Sequence, residues 1–216
     1  MIGRVIPVWS FLAVTVPLVL TPGASTAVVL RNSLAGGTRA GVVTAVGVNS
    51  GSFCYGLLTA FGFALAVQHW PSTWLVLRIG GMLYLAWLGM RSLYHALAGI
   101  RATIVADVPG GQGTWRNVSE GFMTNALNPA IATFYLVLLP QFIPTNVPVV
   151  RAALFLTALH ITLAFSWHVV WAAAGGTLAR TLASPRVRRT LEAITGVALF
   201  AIAGKLFVGV IGGAGL

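Results

Sequence analysis

Residues 41–67 read GVVTAVGVNSGSFCYGLLTAFGFALAV and contain no charged side chain. An α-helix rises about 1.5 Å per residue, so a bilayer core about 30 Å thick requires about 20 apolar residues in a row. Because lipid cannot satisfy backbone hydrogen bonds, such a run must form a helix when it crosses the membrane. The stretch therefore predicts a transmembrane helix.

Five other runs have the same character. With Gly41–Val67, the candidate spans are Ile6–Leu30, Trp74–Leu97, Gly121–Phe142, Ala152–Leu178 and Leu191–Ile211. The connections are short except for the polar, glycine-rich segment 99–117. The sequence predicts an all-α, polytopic membrane protein with six transmembrane helices in one domain, whose halves 1–98 and 118–216 flank this linker.

The composition agrees with this prediction. Of 216 residues, 57% are hydrophobic and 7% are charged, whereas soluble domains carry about 25% charged residues. The excess of 13 basic over 3 acidic residues is typical of nucleic-acid binders, but here the basic residues are isolated between apolar runs. We therefore expect a lipid bilayer and no nucleic acid as partner. The single cysteine, Cys54, excludes an internal disulfide and paired-thiol redox chemistry.

The basic residues also predict an orientation, because Lys and Arg concentrate in cytoplasmic loops. Nine belong to the first, third and fifth loops: Arg31, Arg39, Arg91, Arg101, Arg116, Arg180, Arg186, Arg188 and Arg189. Four lie nearer the opposite side: Arg4, Arg78, Arg151 and Lys205. This distribution predicts that both termini face outward. A cleavable signal peptide is an alternative for the N-terminal run, but its first polar break comes only at Thr21-Pro22.

The two halves carry matching features in the same order. Thr21-Pro22-Gly23 in the first span corresponds to Asn128-Pro129-Ala130 in the fourth, at an offset of 107 residues. Arg39-Ala40 corresponds to Arg151-Ala152 at an offset of 112. Because three is an odd number of spans, a repeated three-span unit must enter the membrane inverted. The pattern predicts the 3+3 inverted repeat of secondary transporters.

The proline of each matched pair predicts a broken first and fourth helix. Proline removes a backbone donor and clashes with the preceding turn. Such a break exposes the N-terminus of a half-helix, whose N–H groups and dipole attract a carboxylate. Simple helix kinking is the alternative.

Three stretches resemble the LysE/RhtB family of amino-acid exporters. These are TPGASTAVVLRNSLAGGTRAGVVTAVGVNSG at 21–51, GGMLYLAWLGMRSL at 80–93 and GFMTNALNPAIATFYLVLLPQFI at 121–143. The resemblance implies efflux of amino acids or related small metabolites across a bacterial inner membrane, driven by an ion gradient. Ala24 stands where the family often has a second proline. Asn49 stands where exporters of basic amino acids tend to carry an acid, which implies a neutral substrate.

Polar residues within the spans supply the candidate site, since burying them in the membrane is costly. The substrate-binding candidates are Thr21, Pro22, Gly23, Ser25, Asn49, Asn125, Asn128 and Pro129. His160 and His168 titrate near neutral pH and are candidates for proton coupling, with Glu120 at the cytoplasmic mouth as a third. Helix capping accounts for Glu120 and Glu192, so no acid is expected deep in a span. No cofactor and no metal are predicted.

Two other functional classes remain open. In an intramembrane hydrolase, Ser50 would be the nucleophile and His168 its base, although the spacing is wrong for the usual motif. A non-transporting scaffold would leave the matched breaks unexplained. Glycines at 209 and 213 permit a homodimer through helix packing.

Overall fold

The computed structural model describes residues 6–70, 72–98, 113–182 and 184–211. It is all-helical, with no strand among these residues. Most of the predicted linker, 99–112, lies outside the described residues, as does the glycine at 213. The prediction of an α-helical protein with apolar helices suited to a membrane is confirmed.

Eight α-helices are present in the described part of the chain, and three short π or 3-10 turns extend two of them. The helices are α1 Val8–Leu20, α2 Ala24–Leu57, α3 Phe63–His69, α4 Thr73–Ala98, α5 Thr114–Ala126, α6 Pro129–Thr133, α7 Val149–Leu182 and α8 Pro185–Ile211. A π-helical turn at Leu58–Gly62 joins α2 to α3. A π-helical turn at Phe134–Leu138 and a 3-10 turn at Leu139–Phe142 continue α6.

The predicted first span, Ile6–Leu30, is two helices, because α1 ends at Leu20 and α2 begins at Ala24. Helix α2 itself changes direction at Gly36 and Gly37. Gly37 has φ 77°, a conformation that side chains with a Cβ rarely adopt. The chain thus turns just before the uncharged apolar run that begins at residue 41.

Length and apolar character identify fewer spans than the sequence predicts. Within the described ranges, Ala24–His69 and Val149–Ala174 are each long and apolar enough to cross a bilayer. The pair Thr114–Ala126 and Pro129–Phe142, bent by 58°, makes a third when it is counted as one broken span. This bend lies at the predicted break beside Pro129.

Two hydrophobic clusters hold the helices together. The first surrounds Phe11 of α1, whose ring centroid lies 5.3 Å from that of Phe142 and 6.1 Å from that of Phe134. The second surrounds Trp171 of α7 and includes Val29 and Leu30 of α2. The α1–α2 break therefore separates a segment packed in one cluster from a segment packed in the other.

Helices α2 and α5 pack at very close range. A Cβ on Gly47 would overlap the backbone of Val118, and a Cβ on Gly121 would overlap the backbone of Thr44. A Cβ on Gly51 would meet the Asn125 side chain. Gly47 and Gly51 thus bring α5 against α2 and fix the position of the break that follows α5.

Candidate functional site

A cavity of about 280 Å³ lies at the two helix breaks. Its apolar lining comes mainly from α1, α4 and the α6 segment. Its polar lining comes mainly from α2, α5, α7 and α8. The polar residues are Thr21, Ser25, Thr26, Ser52, Tyr84, Ser92, Asn125, Asn128, His160, His168, Glu192 and Thr195. Thus six of the eight predicted substrate-binding residues line one cavity, together with both predicted histidines. Asn49 and Pro129 do not line it.

The first break leaves a helix N-terminus open to this cavity. The backbone N–H and the hydroxyl of Thr21 both donate to the Pro17 carbonyl, at 3.0 and 2.8 Å, which completes α1. Pro22 and Gly23 then lead into α2, whose N-cap, Gly23, provides no side-chain hydrogen bond. The first N–H groups of a helix have no acceptor within the helix. Ala24, Ser25 and Thr26 line the cavity, and an uncapped helix N-terminus is suited to binding an anion.

The second break is different, because its helix N-terminus is already capped. The Asn128 side chain accepts a hydrogen bond from the N–H of Ala130 at 3.0 Å. The N–H groups of Ile131 and Ala132 both donate to the Asn128 carbonyl at 3.1 Å. Pro129 has no N–H to donate. Two equivalent anion-binding termini were expected, but only the α2 terminus is left uncapped.

Asn125 connects the cavity to the close α2–α5 contact. Its side chain is buried and accepts a hydrogen bond from the Ser52 hydroxyl at 3.4 Å. The Tyr55 hydroxyl donates to the Ala126 carbonyl at 2.7 Å, one residue before the break. Helix α2 therefore fixes the end of α5 through side chains that neighbour the cavity.

Asn49 contacts a histidine that lines the cavity but does not line the cavity itself. Its Nδ2 donates to the Ala45 carbonyl at 2.8 Å and lies 3.3 Å from Nδ1 of His168. The second histidine, His160, has Nδ1 2.8 Å from the Tyr135 hydroxyl, and its ring centroid lies 4.4 Å from that of Phe134. Both histidines are buried, and each has a defined hydrogen-bond partner.

Glu120 lies outside the cavity lining, in an ion pair between α5 and α2. It pairs with Arg31 and accepts a hydrogen bond from Asn32 Nδ2 at 2.9 Å, and Asn32 in turn lies 3.0 Å from Thr44 Oγ1. The capping interpretation of Glu120 is wrong, because α5 begins at Thr114, well before this residue. The acid instead ties together the helices that pack at Gly47.

Glu192 is the functional candidate that the sequence argument missed. It was expected to begin a helix, but α8 begins at Pro185, so Glu192 lies about two turns inside. It is 7% exposed and lines the cavity, as does Thr195 one turn later. The spacing of three residues within an apolar run would have placed the two on one helix face. The interpretation of Glu192 as a helix cap is therefore wrong.

Ser50, the nucleophile of the hydrolase alternative, is exposed and lies outside the cavity lining. Its hydroxyl donates to the Val46 carbonyl at 2.9 Å, whereas His168 is engaged by Asn49. Across the described residues, no group of three or more His, Cys, Asp or Glu side chains is placed to hold a metal ion.

Comparison with known proteins gives a consistent result. The profile of the LysE type translocators matches residues 16–209. A leucine efflux protein of Salmonella typhimurium (strain LT2) is 30% identical over 151 residues, which cover 69% of either chain. A leucine efflux protein of Klebsiella pneumoniae is 29% identical over 150 residues, again 69% of each chain. An uncharacterized membrane protein of Bacillus subtilis is 21% identical over 202 residues, 88% of this chain and 93% of its own. No solved structure matches the chain.

Proposed function

The chain belongs to the LysE type translocator family, and from this premise we propose that it exports a neutral, aliphatic amino acid from the bacterial cytoplasm by proton antiport. The observation that carries the proposal is the uncapped N-terminus of α2 in the wall of a largely apolar cavity. The N-terminus would bind the substrate carboxylate, and the apolar wall would receive its side chain.

The shape of the cavity supports a small aliphatic substrate. Leu18, Ile131, Phe134 and Leu138 provide apolar surface near the two breaks. A volume of about 280 Å³ lies at the lower end of ligand pockets, which span about 300–1,000 Å³. Such a cavity suits a single amino acid better than a peptide or a lipid. The related leucine efflux proteins make leucine the first substrate to test.

The architecture that we propose is a 3+3 inverted repeat of six spans in the inner membrane, with both termini outside. The first span would comprise α1 and the part of α2 before Gly36, and the fourth would comprise α5 with the α6 segment. Supporting this are the matched prolines and the excess of basic residues in loops one, three and five. Reporter fusions at either end test the orientation, and a cytoplasmic signal from either would refute it.

Alternating access requires the cavity to close on one side at a time. We propose that the Arg31–Glu120 pair, with Asn32, closes the cytoplasmic side by joining α2 to α5. The cluster around Phe11 would close the opposite side. Rocking of the broken helices would release each closure in turn.

Proton coupling would use His160 or His168, both of which line the cavity. A proton that enters down 100 mV supplies about 2.3 kcal/mol. At about 1.4 kcal/mol per tenfold ratio, one proton sustains a gradient of roughly 40-fold. This is enough to relieve an overload of substrate in the cytoplasm.

The direct test is efflux from cells that express the chain and are preloaded with amino acids, with and without a proton uncoupler. Uncoupler-sensitive loss of leucine or another neutral aliphatic amino acid is the expected result. Failure to export any amino acid, with the protein present in the membrane, would refute the proposal and favour the scaffold alternative.

A further inference from the structure

The α8 side of the cavity carries polar groups that carboxylate binding at α2 does not use. Glu192 and Thr195 lie one turn apart on the same helix face, and both are more than nine-tenths buried. Glu192 is the only acidic residue among the described lining residues, which include no lysine or arginine. The cavity thus has the positive end of a helix dipole at α2 and a carboxylate at α8.

A free amino acid requires both kinds of group. At neutral pH it carries a carboxylate and an ammonium group, and transfer of either charge out of water is costly unless the site compensates it. A helix N-terminus compensates only the negative end. The ammonium group has three donors and no acceptor, so it requires oxygen acceptors of the kind that Glu192 and Thr195 provide.

Thr195 provides a second, independent indication of a ligand. It is 3% exposed, and its hydroxyl has no hydrogen-bond partner among the described residues. A buried hydroxyl without a partner destabilises the fold, so such groups in native proteins call for an explanation. A bound ammonium group beside Glu192 would supply the missing partner.

We propose that Glu192 and Thr195 bind the α-ammonium group of the exported amino acid, while the N-terminus of α2 binds its carboxylate. This inference rests on the proposed function and extends it to specificity. The site selects free α-amino acids over carboxylic acids with the same side chain, because only the amino acid presents both a carboxylate to the α2 terminus and an ammonium group to Glu192 and Thr195.

The test uses the purified full-length protein in lipid nanodiscs and compares leucine with 4-methylpentanoate, its analogue without the amino group. Binding is measured from the rise in unfolding temperature with ligand concentration, because a ligand that binds the folded protein stabilises it by RT ln(1 + [L]/Kd). In the wild type, leucine should bind at least about tenfold more tightly than the analogue. Glu192→Gln should weaken the binding of leucine about 10- to 100-fold. Binding of the analogue should be unchanged or tighter.

A second variant keeps the test decisive if Glu192→Gln does not fold. Thr195→Val removes the unpartnered hydroxyl with little change in shape, so the apo protein should be at least as stable while leucine binds several-fold more weakly. Thr157→Val is the matched control. Thr157 is also buried with an unpartnered hydroxyl, but it lies outside the cavity lining. It should leave binding of both ligands unchanged.

The possible results distinguish a failure of the ammonium site from a failure of the proposed function. Unchanged discrimination between leucine and the analogue in Glu192→Gln, or unchanged leucine binding in Thr195→Val, would overturn the ammonium site. Normal leucine binding by Glu192→Gln with loss of proton coupling would also overturn it and assign Glu192 to proton transfer. Wild-type protein that binds neither leucine nor any other neutral amino acid would instead overturn the proposed function.

Discussion

Asn128 holds the second helix break in shape through one side-chain hydrogen bond. Its Oδ1 accepts from the N–H of Ala130, while its backbone carbonyl accepts from the next two N–H groups. The side chain also lines the cavity. A residue in this position couples the local geometry of the break to the space that the substrate would occupy.

Replacement of Asn128 by Ala should therefore reduce export at least about tenfold and lower stability by about 1 kcal/mol, the usual cost of a lost N-cap. Efflux and thermal unfolding in detergent measure the two effects. Asn128→Ser keeps a capping oxygen and should recover most of the stability. Normal export by Asn128→Ala at normal membrane abundance would remove this residue from the site.

The two buried histidines are distinguished from the exposed ones by their partners. His168 lies beside Asn49 and lines the cavity, whereas His69 is exposed at the end of α3 and contacts the Leu65 carbonyl. If His168 carries the coupled proton, its replacement removes the link between substrate movement and the proton gradient, but it leaves binding largely intact.

We expect His168→Gln to abolish the acceleration of leucine efflux by an inward proton gradient in proteoliposomes. Asn49→Ala should weaken the same acceleration to a smaller degree, since Asn49 only positions the ring. His69→Gln serves as the control and should behave as the wild type. Full acceleration in His168→Gln would exclude this histidine from coupling.

At the scale of the helices, the contact between α2 and α5 depends on the absence of side chains. The backbone of Val118 occupies the space that a Cβ on Gly47 would require. Alanine at position 47 must push α5 away, which also displaces Asn125 and the break after it. By contrast, Gly80 on α4 has open space around its missing Cβ.

Gly47→Ala should lower the free energy of unfolding by about 1–3 kcal/mol, as overpacking in a tight contact does. Gly80→Ala should leave it unchanged or raise it slightly, because alanine favours a helix over glycine. Thermal unfolding in detergent compares the two variants. Equal stability of both would contradict the close contact between α2 and α5.

The ion pair between Arg31 and Glu120 is the polar counterpart of this contact. Both side chains are partly buried, and Asn32 supports the carboxylate from the same helix as Arg31. When neighbouring residues of one network are mutated, the changes in the free energy of unfolding do not add.

A double-mutant cycle of Arg31→Met and Glu120→Gln should therefore give a coupling energy of about 0.5–3 kcal/mol in thermal unfolding. Either single variant should also slow efflux, since a cytoplasmic closure that forms poorly interrupts the transport cycle. Additive effects on stability and normal efflux would show that the pair is a surface contact without a role in closure.

At the scale of the whole molecule, the sequence predicted the helical class and the family, because apolar length and the Thr-Pro-Gly and Asn-Pro segments are local signals. Most of the residues that it predicted for the site line the cavity. It did not predict where α5 and α8 begin, since their first turns are polar or charged and an apolar run marks only the buried part of a helix. For this reason the sequence alone favours a capping role for Glu120 and Glu192, which the helix bounds exclude.

The difference between the two breaks also lay beyond the sequence argument. Pro22 and Pro129 occupy equivalent positions in the sequence pattern. However, Asn128 caps the helix at one break, while Gly23 has no side chain to cap the other. The matched pair therefore predicted two anion-binding helix termini, of which the geometry leaves one uncapped.

We predict that this cavity recognises a neutral amino acid by its carboxylate and that the protein carries it across the membrane. Counterflow of radiolabelled leucine into proteoliposomes that contain the purified protein and unlabelled leucine tests this in one measurement. We expect uptake that an excess of unlabelled leucine on the outside suppresses, whereas leucinamide on the outside, which lacks the carboxylate, does not suppress it. Equal suppression by leucinamide, or no counterflow by folded protein with any neutral aliphatic amino acid, would contradict the account.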